Sequence, residues 1–554
     1  MNTNDVEHKQ DRFNLDPSIF RSMQERIQMV TDPECPVENL KIIAMYDTDD
    51  AVIEACIFNK VATDDVFEIV MRRLGRTRDE LIKARKSWSI QTDPKFKDSF
   101  CVLPWVHAAT NSDGSVRMCC QMIYDDSELP FGEIRKDDGE LLTMADDIGA
   151  NRNAPNWKII RQRMLEGKRH NVCKLCWDEE QNGIESKRQQ HNAIFNSDIE
   201  TIINDTSLDG TINNTTMPIK YWDLRFGNKC NIKCRTCGPS DSDQWYSDWI
   251  ALGLGNTFPT KSGNPITIDV INGRPKVAKI FDWVDSSPLF EEIQRNIDTI
   301  DRFYFTGGEP TVNIKHRELL DFMIEKQVAA NVTVEYNTNM AGIPNNIFEK
   351  WHVFKEVHLG MSIDGIFEHF EYIRHPAKWD TVERNIRKVD TDTRLKNTTA
   401  SFTLTLSVMN VVHLLDMIWW IKEQKFNRIN PNVVVHNLYW PKFYNIQNLP
   451  VGIKVMIDNL YENFIDEIYR RWNNDIAWCT KTEKTLRSVL THMNEVSPDD
   501  TQFKGYFTRQ DALDKIRNEN WRQSLSGISD IIQYHLDVSA RSKKVKLDKT
   551  GKQK

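Results

Sequence analysis

The chain from residue 219 onward predicts an α/β fold built on a parallel sheet, and three observations carry that prediction. Apolar, β-branched runs recur at 219–226, 302–306, 332–337, 357–363, 402–407 and 432–437. Helical periodicity fills gaps between them, as at 315–327, 381–389 and 411–424. Residues with chemical potential (cysteines, a Gly-Gly-Glu turn, Asn and Asp) fall just past the ends of these runs. Strands alternating with helices form βαβ units, which set the strands parallel. Barrel-like sheets of this kind assemble their sites where strand C-termini meet loops.

The elements outside this core are read in chain order. Residues 1–96 read as a helical domain, with helix starts at Val37-Glu38-Asn39-Leu40 and Thr63-Asp64-Asp65-Val66. Two such stretches are too few to call a solenoid. Residues 97–200 are loop-rich with a helical second half, in which 157–191 resembles a helix–turn–helix that Glu180, Ser186 and Arg188 either anchor or flank as a solvated face, the latter being the favoured reading. Residues 201–217, rich in Thr, Asn, Asp and Gly, read as a linker. Gly and Pro crowd 251–280, which reads as an insertion, either a lid or a plain surface loop. Residues 446–535 are mostly helical, and 536–554 read as a basic tail. A length of 554 residues carries a prior of about three or four domains.

The most informative segment is Leu224-Arg225-Phe226-Gly227-Asn228-Lys229-Cys230-Asn231-Ile232-Lys233-Cys234-Arg235-Thr236-Cys237. Three thiolates in a C-x3-C-x2-C loop can hold three irons of a cubane cluster, leaving the fourth without a protein ligand. Structural metal sites are usually closed, so an open position points to chemistry. A zinc site or buried free thiols are the competing readings, although zinc normally takes four ligands and no fourth follows nearby.

Gly307-Gly308-Glu309-Pro310 follows Phe303-Tyr304-Phe305-Thr306, and Asn337-Thr338-Asn339 and Ser362-Ile363-Asp364-Gly365 end later strand-like runs. In order and spacing, the cysteine triplet and this GGEP segment resemble the radical S-adenosylmethionine (SAM) superfamily over roughly 218–445. The resemblance implies a partial (β/α)6 barrel of six strand–helix units. It implies that Cys230, Cys234 and Cys237 hold a [4Fe-4S] cluster whose open iron is chelated by the SAM amino and carboxylate groups. One electron passing to the sulfonium breaks its bond to C5′, giving methionine and a 5′-deoxyadenosyl radical that abstracts hydrogen from a substrate. By motif position Gly307, Gly308 and Glu309 would meet the SAM amino group, and Asn339, Asp364 and, more weakly, Ser362 the ribose. Asn and Asp-Gly after strands are also ordinary turn residues, and that reading stays open for Asn339 and Asp364. His436 and Asn437 end the last run and could line the pocket. Thr236 departs from the family, which usually places an aromatic residue there against adenine. No residue declares itself as the substrate acid or base.

A second cysteine set precedes the barrel. Cys101, Gly114 and Cys119 follow a C-x12-G-x4-C spacing, and Cys173 and Cys176 form a later C-x2-C. The pattern resembles the auxiliary iron–sulfur module called Twitch, the short form of SPASM, assigned here to 97–200. Gly114 would allow the hairpin turn. Cys101, Cys119, Cys173 and Cys176 would close a second [4Fe-4S] cluster, or equally a four-cysteine zinc site. Two departures stand out: the module normally follows the barrel, and Cys120 competes with Cys119 as a ligand.

Composition bounds the partners. A formal net charge of −8 gives no electrostatic reason to expect a nucleic-acid surface. No apolar run approaches the roughly 20 residues that span a bilayer, and the polar, acidic N-terminus lacks signal-peptide character. Of eleven cysteines eight sit in motif positions, with Cys35, Cys56 and Cys479 scattered; this argues for a reducing, cytoplasmic setting over a disulfide framework. The expected partners are SAM, an electron donor and an unidentified peptide, protein or small-molecule substrate. The alternative is a non-enzymatic, cysteine-rich metal-binding interaction protein; a third reading is an electron carrier that leaves SAM intact.

Overall fold

A computed structural model describes residues 23–32, 34–47, 49–59, 61–78, 80–81, 96–123, 134–181, 185–260, 265–277 and 279–550. The described chain forms two compact units where length suggests three or four. One comprises 1–106, 121–138 and 152–217, and the other 107–120, 139–151 and 218–554. The segment 97–200 therefore contributes to both. No helix among the described residues is long and apolar enough to cross a membrane.

In the first unit, helices Met23–Thr31, Val37–Tyr46, Asp50–Ala55 and Asp64–Leu74 enclose a core that includes Val30, Leu40, Val52, Ile53, Val66 and Val70. Both helix starts read from sequence are present, although neither Pro36 nor Thr63 caps through its side chain. Cys56 is buried in this core, and burial pushes its thiol up to about 12. It is packed as a small apolar residue. Helices Pro155–Leu165, Lys174–Gln181, Lys187–Ile194 and Ile199–Asp205 complete the unit, the last of them inside the stretch read as a linker.

The second unit is organised by an eight-stranded sheet. Its strands are β1 (His107–Thr110), β2 (Val116–Arg117), β3 (Tyr221–Arg225), β7 (Arg302–Thr306), β8 (Thr333–Thr338), β9 (Glu356–Ser362), β10 (Thr398–Leu406) and β11 (Ile429–Asn437), in the order β11-β10-β9-β8-β7-β3-β1-β2. All adjacent pairs are parallel except β1 and β2. β3 and β7–β11 are the six strands expected from the apolar runs. β1 was not expected: it adds to β3 in parallel, and its hairpin to β2 turns at Asn111–Gly114, where Gly114 takes φ +81°.

Strand alternation divides this sheet into two unlike faces. Phe303, Phe305, Val334, Tyr336, Val357, Leu359, Phe402 and Leu404 are buried, and their face packs on helices, as Phe305 on His316, Tyr336 on Trp351 and Phe402 on Trp420. Intervening residues on the opposite face are polar: Asp223, Arg225, Tyr304, Thr306, Glu335, Asn337, His358 and Ser401. Period-2 alternation of this kind sets an apolar face against the helices and a polar, partly buried face opposite, on which Asp223 is fully buried.

The 251–280 insertion folds into a three-stranded antiparallel sheet, β4 (Thr257–Pro259), β5 (Pro265–Ile271) and β6 (Arg274–Val277). Phe258, Ile266 and Ile268 cluster with Tyr246 and Phe281 beneath it. It is thus a packed element rather than a loop. Helices Val451–Arg471, Ile476–Asn494, Asp500–Arg517 and Ser526–Thr550 form the helical C-terminal region; the last continues as helix through 536–550, where the sequence reads as a tail.

Candidate metal and cofactor site

The cysteine loop leaves β3 through Gly227, whose φ of +75° and close approach to the Phe281 carbonyl exclude a side chain. Its backbone is then held from three sides. Lys233 and Arg235 N–H donate to the His375 and Ile373 carbonyls at 2.7 and 2.8 Å. The Cys230 N–H donates to Asp243 Oδ1 at 3.1 Å, and Trp245 Nε1 donates to the Cys234 carbonyl at 2.9 Å. Glu309 N–H donates to the Lys229 carbonyl at 2.9 Å, stitching the GGEP turn after β7 to the loop after β3. Gly307 and Gly308 both have positive φ, and any Cβ on Gly308 would collide with the Lys229 carbonyl. Gly308 is required because two backbones touch, and Gly307 because the Arg225 side chain packs against it.

The three thiols lie on this braced loop. The Cys237 thiol is hydrogen-bonded to Cys234; this bond, then the nearby Arg374 guanidinium, holds Cys234 below the usual thiol range and leaves Cys237 raised. Burial pushes Cys230 up to about 12. Arg374 Nη1 is 3.8 Å from Cys234 Sγ, and its Nη2 is 2.9 Å from Asp364 Oδ2. Among the described residues, no group of three or more His, Cys, Asp or Glu converges on a single metal ion. A guanidinium beside three thiols suits a site that gathers negative charge, as a thiolate-held cluster would.

The other expected site residues gather around the same strand ends. Glu309 is buried, which raises its pKa, and its carboxylate accepts from Thr311 N–H, Thr311 Oγ1, Thr338 Oγ1 and Asn339 N–H at 2.7–3.2 Å. It joins the turn after β7 to the end of β8. Asn339 Nδ2 donates to Asn231 Oδ1 at 2.8 Å and lies 4.0 Å from Cys230 Sγ, while its Oδ1 accepts from Ala341 N–H. Asp364 accepts from Thr405 N–H at 2.8 Å in addition to its ion pair. Ser362, at the end of β9, is the candidate whose side chain has no hydrogen bond among the described residues. His436 is an exposed residue of β11, in register with Thr405.

Sequence reasoning missed Arg374 and Arg235. Buried Arg235, between two of the cysteines, donates to Tyr372 O (3.2 Å), Gln510 Oε1 (3.0 Å) and Asp514 Oδ1 (2.6 Å), with Glu519 also paired to it. Lys233 and Arg517 both bind Asp248, at 2.7 and 2.8 Å. The helix Asp500–Arg517 is thereby locked to the cysteine loop. The one available signal was an arginine inside the cysteine motif, a charged residue in a segment otherwise committed to ligation.

The second cysteine set is divided between the units. Cys101, Cys173 and Cys176 belong to the first and feel one another's charge; burial pushes Cys101 up to about 12 and raises the other two. Cys119 and Cys120 belong to the second unit. Of the two readings of Glu180, Ser186 and Arg188, the anchor holds and the favoured solvated face does not. Arg188 is buried, pairs with Glu180 at 2.6 Å, donates to the Lys97 and Phe100 carbonyls and stacks on Trp177, while Ser186 forms a capping box with Gln189. This arginine ties the chain preceding Cys101 to the helix bearing Cys176. The periodicity of a short polar helix hides such an anchor, because its three residues look like any exposed face.

No family model matches the chain, and no curated protein matches it. Similar solved structures include anSMEcpe with bound AdoMet (15% identity, TM-score 0.29, covering 46% of this chain and 60% of that one). They also include Streptococcus suis SuiB bound to S-adenosylmethionine (12%, 0.29, 56% and 63%) and the same protein bound to precursor peptide SuiA (12%, 0.28, 56% and 63%). The chain spans about three-fifths of the length of these structures.

Proposed function

We propose that this chain is a radical SAM enzyme acting on a peptide, protein or small-molecule substrate, with a second, auxiliary iron–sulfur cluster. The observation that carries the reading is the interlock of the cysteine loop with the GGEP turn. Three thiols follow one parallel strand, a double-glycine turn follows its neighbour, and the two backbones are hydrogen-bonded to each other. Cys230, Cys234 and Cys237 would hold a [4Fe-4S] cluster, which when bound supplies an electron to SAM at its open iron.

The chain's own residues would do the rest. Gly307 and Gly308 let backbone approach the cosubstrate closely, and Glu309, Asn339 and Asp364 brace the surrounding loops. Ser362 offers a hydroxyl to the ribose. Arg374 offsets the negative charge of thiolate ligands. The polar sheet face beneath these loops would orient a hydrophilic substrate. Cys101, Cys173 and Cys176 of the first unit would be ligands of the auxiliary cluster.

Iron and acid-labile sulfide measured on anaerobically reconstituted protein test this reading. Two clusters predict about eight irons per chain, about four in a C101A/C176A variant, and an electron paramagnetic resonance spectrum that changes on adding SAM. Zinc bound in place of iron, or a reduced cluster indifferent to SAM, would sink it.

A further inference from the structure

The polar face of the sheet is paired internally in its lower rows and open in its upper row. In the lower rows Arg302 is ion-paired with Glu335. His358 Nδ1 lies 2.7 Å from Thr399 Oγ1 and its Nε2 lies 3.4 Å from Glu356 Oε2, which also accepts from Thr333 Oγ1. These groups offset one another's charge, although Arg302 Nε has no hydrogen-bond acceptor.

The row nearest the cysteine loop differs. Arg225 pairs across the sheet with Thr306, and Asn337 occupies the next position on β8, because Phe305 pairs with Tyr336. None of these three side chains has a hydrogen-bond partner among the described residues, and Nε of Arg225 is fully buried without one. A buried guanidinium nitrogen left without an acceptor is costly unless a ligand supplies one. The base of the Arg225 side chain packs on the GGEP turn so closely that a Cβ on Gly307 would come within 2.7 Å of its own Cβ. It ends β3, five residues before Cys230.

We propose that Arg225, with the Thr306 hydroxyl beside it, is the subsite that recognises a carboxylate group of the substrate; this rests on the reading of the adjoining loops as the SAM and cluster site. A guanidinium fork matches a carboxylate with two parallel hydrogen bonds, and a neighbouring hydroxyl can donate a third. The charge balance selects a monoanion. Asp223 lies two residues down the same strand face, and Arg302 is already neutralised by Glu335, so a polyphosphate would meet one free cation and a nearby carboxylate. The anchor fixes the carboxylate end of the substrate beside the loops where hydrogen abstraction would occur.

Phenylglyoxal modification of the full-length, cluster-loaded protein, mapped by peptide mass spectrometry, tests this with acetate as the probe. Arg225 is expected to react, and acetate to slow its modification severalfold at matched ionic strength. Acetamide should have no effect, and exposed Arg384 should react at a rate independent of acetate. SAM alone should leave the acetate effect intact. An Arg225 that never reacts, acetate protection no greater than at Arg384, or complete protection by SAM alone would each overturn the proposal, the last by making the anion that of SAM itself. The readout involves no SAM cleavage, so a failure here is distinct from a failure of the enzyme assignment.

Discussion

The Arg374 guanidinium lies 3.8 Å from the Cys234 sulfur and, through its other terminal nitrogen, 2.9 Å from the Asp364 carboxylate. One buried cation thus joins the cysteine loop to the end of β9. Removing it strands Asp364 without its counter-ion, and breaking a buried pair costs about 3–5 kcal/mol. R374M is expected to lower the urea midpoint of the metal-free protein by a clear margin, with R374K intermediate. Denaturation followed by tryptophan fluorescence measures this; equal midpoints for all three proteins would contradict it.

The double glycine gives a contrast between two alanine variants. G308A places a Cβ against the Lys229 carbonyl and also strains a φ of +53°. G253A meets a φ of +71° but nothing within 4 Å. Backbone strain alone costs about 1–3 kcal/mol, so G253A should fold with a modest loss, whereas G308A should lose more stability and fail to retain iron after reconstitution. Thermal melts and iron content read both; comparable behaviour of the two variants would refute the close-approach argument.

Arg235 and the helix Asp500–Arg517 form one device. Deleting 500–550, or substituting R235M, removes the partners that hold the cysteine loop. Hydrogen–deuterium exchange at 228–243 should rise in both variants, since amide protection tracks local opening free energy. Exchange unchanged from the intact chain would show that the loop stands without its buttress.

Buried Glu292 sets a pH dependence. Burial raises its pKa to about 7, against two hydrogen bonds from the Ile148 and Gly149 N–H groups that favour the charged form. A carboxyl with a raised folded pKa binds more protons folded than unfolded between about 4.5 and 7, so its contribution is full below that window and is lost as pH rises through it. The loss is on the order of a few kcal/mol at most. Stability measured from pH 4.5 to 7.5 should fall less steeply in E292Q; an identical slope would contradict the assignment.

The six core strands were legible because each is an apolar run bounded by polar loops, and burial on one face keeps that pattern strict. Their ends were legible for the same reason, which is why the cysteine triplet, Gly307 and Asp364 could be placed. β1 was not legible: four residues gain strand geometry only by pairing with Tyr221–Asp223, more than a hundred positions away. β4–β6 were hidden by the Gly and Pro content of their turns. The anchors Arg188, Arg235 and Arg374 escaped because a charged side chain reads as solvated until its partners are known, and those partners are distant in sequence or lie on other elements. Glu309 was legible as a candidate, but not that its carboxylate accepts from four protein donors.

The central claim is tested most directly by 5′-deoxyadenosine formation. Anaerobic, reconstituted protein with dithionite and SAM is analysed by liquid chromatography and mass spectrometry. The account predicts 5′-deoxyadenosine and methionine from the wild-type chain and none from C230A. Intact SAM after incubation with fully iron-loaded wild-type protein would contradict it.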